Sequence, residues 1–178
     1  MSSPAQLTGS ARAAYVQEMF TRIAMHYDMM NRLMTAGQDV LWREEVIRRA
    51  ALTPQGRILD LGAGTGDLTR EALRQYPQCH PVAADFTLAM MQVGKQRIAN
   101  AEANPPAWSA ADALCLPLKS QSFEAVVSGF LMRNVADVRQ VLQEQWRVLQ
   151  PGGRIVILDT TRPTPNLLTP FINIHLKH

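Results

Sequence analysis

Apolar and polar positions follow two rhythms along this chain. From Ala11 onward Val16, Phe20, Ile23, Ala24 and Tyr27 recur at helical spacing, and a second helical stretch covers 38–51. In that stretch Val40, Ile47, Ala50 and Ala51 share one face, which Arg43 and Glu44 interrupt. The turn segment TPQG at 53–56 closes the helical region. Short apolar runs then take over at 57–61 (RILDL), 80–85 (HPVAAD), 105–112 (PPAWSAAD), 123–130 (FEAVVSGF) and in RIVILD after the PGG turn at 151–153, and these read as strands. Helical spacing returns between them: at 67–75, through Met91, Gly94, Ile98 and Ala101, and over 135–149 with Val138, Leu142, Trp146 and Leu149 in register.

This alternation predicts an α/β fold, a Rossmann-like, doubly wound, mostly parallel sheet preceded by N-terminal helices. Residues 1–10 read as a disordered tail, 11–52 as a helical segment, 53–162 as the α/β core and 163–178 as the apolar start of a C-terminal region that stops short.

Composition narrows the function classes. At 178 residues, 47% hydrophobic and 19% charged, the chain has one ordinary globular domain's worth of core. A net charge of +3 without a Lys/Arg run gives no electrostatic footprint for nucleic acid. Cys79 and Cys115 have neither metal-ligand spacing nor a disulfide framework, so no metal is expected and a reduced, cytoplasmic setting fits. The N-terminus lacks the apolar segment of a secretion signal, and no window approaches 18 consecutive apolar residues.

The chemistry concentrates in LDLGAGTGD, where glycines at 62, 64 and 66 form G-x-G-x-G after the first strand. The dinucleotide fingerprint is G-x-G-x-x-G, and here Asp67 stands at its third glycine. A carboxylate at that helix start would repel a pyrophosphate, so the loop suits a ligand without phosphates. Asp60, Asp85 and Asp112 mark the ends of three successive strands, where ligands of parallel sheets bind. Each taken singly also fits a helix cap or turn. Together they match a ribose-containing ligand with a positive centre, and S-adenosyl-L-methionine is such a molecule.

LDLGAGTGDL resembles the first motif of class I methyltransferases, and RVLQPGGRIVILD their motif before the fifth strand. A narrower resemblance is to the ubiquinone/menaquinone biosynthesis C-methyltransferase family. Its Y-D-x-M-N signature, ending in a tryptophan, is matched by Tyr27, Asp28, Met30, Asn31 and Trp42, with support from RNV at 133–135. By that resemblance Gly62, Gly64 and Thr65 border the methionine moiety, Asp60 lies near its amino group, and Asp85, followed by Phe86, holds the ribose. Asp112 and the Ala113 backbone meet the adenine, and Gly129 or Ser128 sits near the reacting end.

The resemblance also implies a lipophilic acceptor, a polyprenylated hydroquinol whose ring carbon is methylated, with the N-terminal helices as a cap on the substrate side. Losing a phenolic proton activates that carbon, so a base is expected. Tyr27 and Asp28 are the candidates, with Asp39 a third where the family has His, and Arg133 would stabilise a phenolate. In the plainer alternative Tyr27 and Trp42 pack, and Arg133 and Asn134 cap the helix near Val135. For Asp39 the structural role is preferred.

The chain departs from the family at Thr35 (usually Ser), Asp39, Gln150 (usually Lys) and DTT at 159–161 (usually Glu-x-Ser). An ungapped match puts Gly129 at the family's serine and Leu131 at its glycine. The family ordinarily continues beyond the point where this sequence stops. Two alternatives therefore stand: methylation of another small molecule, and a truncated cofactor-binding domain without activity. A nicotinamide dehydrogenase is disfavoured by Asp67 and the shortened glycine spacing. Leu167, Leu168, Phe171 and Ile172 would wall an isoprenoid chain, touch a membrane surface peripherally or pack on absent chain, and an open sheet edge would favour a homodimer.

Overall fold

The computed structural model describes residues 9–99 and 105–159. Three helices come first, α1 (Gly9–Ile23), α2 (Tyr27–Met34) and α3 (Gln38–Ala50). The order then alternates: β1 (Arg57–Leu61), α4 (Asp67–Gln75), β2 (His80–Asp85), α5 (Leu88–Ala99), β3 (Ala107–Ala110), β4 (Phe123–Gly129), α6 (Val138–Val148) and β5 (Leu149–Leu158). The sheet runs β3-β2-β1-β4-β5 with every pairing parallel. Strand order reverses between β1 and β4, which opens a crevice at their carboxyl ends. The Rossmann-like expectation is met. Ala101 and the apolar segment at 163–178 lie outside the described residues.

Two apolar layers sandwich the sheet. One joins Val46, Ile47 and Ala50 of α3, Leu68, Ala72 and Leu73 of α4 and Ile98 of α5 to Ile58, Ala125 and Val127 of the strands. The other packs Val141 and Val148 of α6 and the segment through Ala111, Ala113 and Leu116 onto Leu59, Leu61, Phe123 and Val126. Alternate residues of β1, and of β4 from Ala125 on, thus enter opposite layers, as a strand buried on both faces requires; Phe123 precedes an irregularity in the β4–β5 pairing.

Three expectations need correction. The N-terminal helical run does not reach Tyr27: α1 stops at Ile23, the chain turns, and Tyr27 opens α2. The third strand covers only Ala107–Ala110 of the expected 105–112. The helix after β4 starts at Val138, where Asp137 caps it by accepting from Gln140 N at 3.0 Å. Neither Arg133 nor Asn134 is that cap.

The face of α6 differs too. Val141, Gln145 and Val148 are buried, whereas Val138, Leu142 and Trp146 are exposed, Trp146 by 74%. Both stripes have helical spacing, so spacing alone favours the one with the larger side chains. Packing against the sheet beside β5 decides for the other.

α5 crosses close behind the glycine loop because Gly94 has no side chain. A Cβ there would meet the Trp108 ring and the Thr65 backbone, whose carbonyl carbon and oxygen lie at 2.9 Å. Gly94→Ala is therefore expected to destabilise the fold by about 1–3 kcal/mol through overpacking, measured by urea denaturation, whereas the same change at open Gly152 gives only its backbone penalty.

Candidate functional site

The site is built where β1 ends. Gly62, Gly64 and Gly66 all adopt positive φ (71°, 57° and 80°), so the chain turns tightly and leaves bare backbone facing the crevice. Gly62 N and Ala63 N donate to the Ala84 carbonyl of β2 at 2.8 and 3.0 Å. Asp85 completes the link: its carboxylate accepts from Gly64 N at 2.7 Å and Thr87 N at 2.6 Å. Burial nonetheless raises the Asp85 pKa, against the pull of those donors.

Asp60 lies deeper, 2% exposed, and accepts from Thr69 N at 3.0 Å and Thr69 Oγ at 2.7 Å. Desolvation, reinforced by the charges of Asp85 and Asp67, pushes its carboxyl to about 7. Asp112, two residues past β3, turns its carboxylate onto Leu114 N at 2.9 Å. Asp67 does not present a free charge to the loop, since Arg43 and Arg70 both reach it at 3.1 Å. Repulsion of a phosphate there is accordingly weaker than the sequence implies.

Two cavities meet at this loop. A small polar one, about 40 Å³, is lined by Asp60, Thr65, Asp67, Arg43 and Tyr27. A larger one, about 540 Å³, has Asp85, Phe86, Asp112 and Ala113 on one side and Ala13, Ala14, Gln17 and Phe20 of α1 on the other. Tyr27, Gly62, Gly64, Gly129 and Phe130 border both. α1 is strapped across the larger cavity by Gln17 Nε2 to the Phe86 carbonyl at 3.2 Å and by an Arg12 guanidinium N–H to the Arg133 carbonyl at 2.8 Å.

The structure thus brings together Tyr27, Asp60, Gly62, Gly64, Thr65, Asp85, Phe86, Asp112, Ala113 and Gly129. Ser128 lines neither cavity. It is fully buried, shares the strand face of Val126, and its hydroxyl has no hydrogen-bond partner. Gly129, the next residue, points to the other face and borders both cavities. Asp28 lines neither cavity; it accepts from Thr65 Oγ at 2.6 Å and pairs with Arg97. Arg133 also lines neither, its guanidinium lying 4.9 Å over the Phe130 ring and 4.0 Å from Asp159.

Asp39 is 1% exposed and tied to Thr35 and Arg43. Burial pushes its carboxyl up, but the Thr35 hydroxyl and the Arg43 guanidinium outweigh that and hold it below its ordinary value. Sequence reasoning missed Arg43, Phe130 and Leu131. Phe130 adopts φ 57°, a strained conformation for an aromatic residue, with its N–H on the Leu158 carbonyl at 2.7 Å. Leu131 packs on the glycine loop, its Cδ1 2.9 Å from where a Gly62 side chain would begin.

Comparison with known proteins agrees with this geometry. The model of the ubiE/COQ5 methyltransferase family matches residues 8–178. The ubiquinone/menaquinone biosynthesis C-methyltransferase UbiE of Desulfotalea psychrophila is 42% identical over 163 residues, covering 92% of this chain and 65% of its own. A demethylmenaquinone methyltransferase of Roseiflexus castenholzii is 43% identical, covering 88% of this chain and 65% of its own. The chain therefore spans about two thirds of these relatives' length. Among solved structures, one from Methanococcus maripaludis described as an S-adenosyl-L-methionine-dependent methyltransferase superposes with TM-score 0.67 at 25% identity, over 77% of this chain and 62% of that one.

Asp60 gives the site a pH signature. Its folded-state pKa of about 7 exceeds the ordinary 3.8, so the folded protein keeps a proton that the unfolded chain releases. Stability from this group is fullest below about pH 4 and falls as pH rises to about 7, by up to about 4 kcal/mol. Asp60→Asn is expected to flatten urea-denaturation stability across that window, and an unchanged slope would mean Asp60 titrates normally.

Proposed function

Since the chain belongs to the ubiE/COQ5 methyltransferase family, we propose that it is an S-adenosyl-L-methionine-dependent C-methyltransferase acting on a polyprenylated hydroquinol in ubiquinone or menaquinone biosynthesis. The observation that carries this reading is the grouping of Asp60, Asp85 and Asp112 around bare glycine backbone at one end of the sheet.

The residues present fit the cofactor. Asp60 at the polar cavity suits an ammonium group, Asp85 suits the two ribose hydroxyls, and Asp112 with the Ala113 backbone suits the adenine edge. When bound, the cofactor supplies an activated methyl group on a sulfonium. The chain's own part is to position and to shape charge. Gly62 and Gly64 allow close approach of backbone, and Phe86, Met90 and Leu114 give the larger cavity apolar surface. Asp60 must be ionised to hold a cation, so affinity should rise with pH through about 7.

On the acceptor side, Ala13, Ala14 and Val16 of α1 leave room for an apolar ring. Tyr27 is the hydroxyl best placed to take or share a phenolic proton, since it borders both cavities. Arg133 over Phe130 keeps a cation beside the cavity wall, which favours a phenolate. A prenylated acceptor is lipid-soluble, so peripheral contact with a membrane surface fits it. Among the described residues no helix is long and apolar enough to cross one.

Calorimetric titration with S-adenosyl-L-methionine tests the cofactor half. The parent should bind, and Asp85→Ala should weaken binding by about 10–100-fold through loss of charge-assisted hydrogen bonds. Equal binding by both would remove the ribose assignment, and no binding by a folded parent would overturn the function. Methyl transfer to a demethylated prenylated quinol tests the acceptor half. Binding without turnover on any quinol favours the cofactor-binding domain instead.

A further inference from the structure

α2 is inverted relative to a helix held by apolar burial. Met29, Leu33 and Met34 stand outward, 65%, 83% and 80% exposed, and no residue of the helix is buried. Asp28 and the side-chain nitrogen of Asn31 face inward. Apolar packing therefore does not fix where α2 sits, and polar contacts take that part.

The main contact is Asp28. Its Oδ1 accepts from Thr65 Oγ at 2.6 Å, and its Oδ2 meets the Arg97 guanidinium of α5 as an ion pair. The Asp28 side chain is 18% exposed and Thr65 4%, a partly desolvated setting in which charge-assisted hydrogen bonds are strong. One carboxylate thus joins α2, the glycine loop and α5. Its neighbour Tyr27 borders both cavities and meets Phe20 of α1 edge-on, with ring centroids 5.6 Å apart. Thr65 stands between two glycines in left-handed conformations, so any change in loop shape moves its hydroxyl.

We infer that Asp28 is a positioning residue that couples the glycine loop to the acceptor-side wall, so that a ligand held by the loop also orders α2 and α1. This rests on the proposed function, in which that ligand is S-adenosyl-L-methionine. It sets Asp28 apart from proton transfer, because Asp28 lines neither cavity and its carboxylate is held by Thr65 and Arg97.

Hydrogen–deuterium exchange on the whole chain tests the coupling, with and without S-adenosyl-L-methionine, in the parent, Asp28→Asn, Arg97→Gln, Thr65→Val and Thr65→Ser. Without ligand, 27–34 should exchange faster in Asp28→Asn and Thr65→Val, less so in Arg97→Gln, and at the parent rate in Thr65→Ser, which keeps the hydroxyl. With ligand, the parent should protect 11–34 together with 62–69, and Asp28→Asn only 62–69, with affinity reduced about tenfold. The pH profile of kcat should keep its shape in Asp28→Asn.

Parent-like exchange of 27–34 in ligand-free Asp28→Asn would overturn the clamp, and parent-like ligand protection of 11–34 would overturn the coupling. So would abolished kcat at unchanged cofactor affinity, which would mark a base. A parent that binds no S-adenosyl-L-methionine would sink the proposed function instead, while the ligand-free exchange still judges the clamp.

Discussion

A carboxylate buried at the end of a strand must find donors, and in this fold the donors it finds are the loop itself. Asp85 accepts from Gly64 N, which ties the glycine loop after β1 to the end of β2. Asp60 accepts from the Thr69 backbone and hydroxyl, which seats the first turn of α4 on β1. Without those bonds both acids would carry the full cost of desolvation. With them, two carboxylates hold the glycine backbone open towards solvent-accessible space. Thr65 and Asp67 are placed with them, because they are carried by the same turn.

The N-terminal helices are held differently. α3 buries Val46, Ile47 and Ala50 in the core, and it also brings Arg43 between Asp39 and Asp67. Removing one partner of such a buried cluster costs about 3–5 kcal/mol, since a charge is left unmatched. α2 and α1 have less apolar anchorage and rely on Asp28, Gln17 and Arg12. One wall of the larger cavity, through Leu61, Ala111 and Ala113, is core and the other is a strap. In the proposed function the first wall suits the cofactor and the second the entering acceptor.

Much of this was legible in the residues. RILDL and HPVAAD are strands over the lengths their apolar runs suggest, and the G-x-G-x-G turn with its three aspartates does line one crevice. What escaped depends on tertiary placement. Two helical stripes compete on α6, and only packing against the sheet beside β5 selects Gln145 over Trp146. Ser128 and Gly129 are both open to the sequence reading, yet strand alternation buries one and exposes the other to the cavities. Arg43 reads as an interruption of an apolar face until Asp67 is seen beside it. Phe130 carries no signal at all, because positive φ is not expected of an aromatic residue.

Phe130 and Leu131 also show where this chain differs from the family pattern in a way that reaches the site. The strained turn at Phe130 is held by the Leu158 carbonyl on one side and by the Asn134 amide donating to its own carbonyl at 3.0 Å on the other. That hold sends Leu131 onto Gly62. A leucine there fills space between the glycine loop and the larger cavity. The loop geometry set by Asp60 and Asp85 does not depend on that space, whereas the shape of the larger cavity does. The loop geometry is therefore independent of Leu131, whereas the space beside Gly62 is shaped by it.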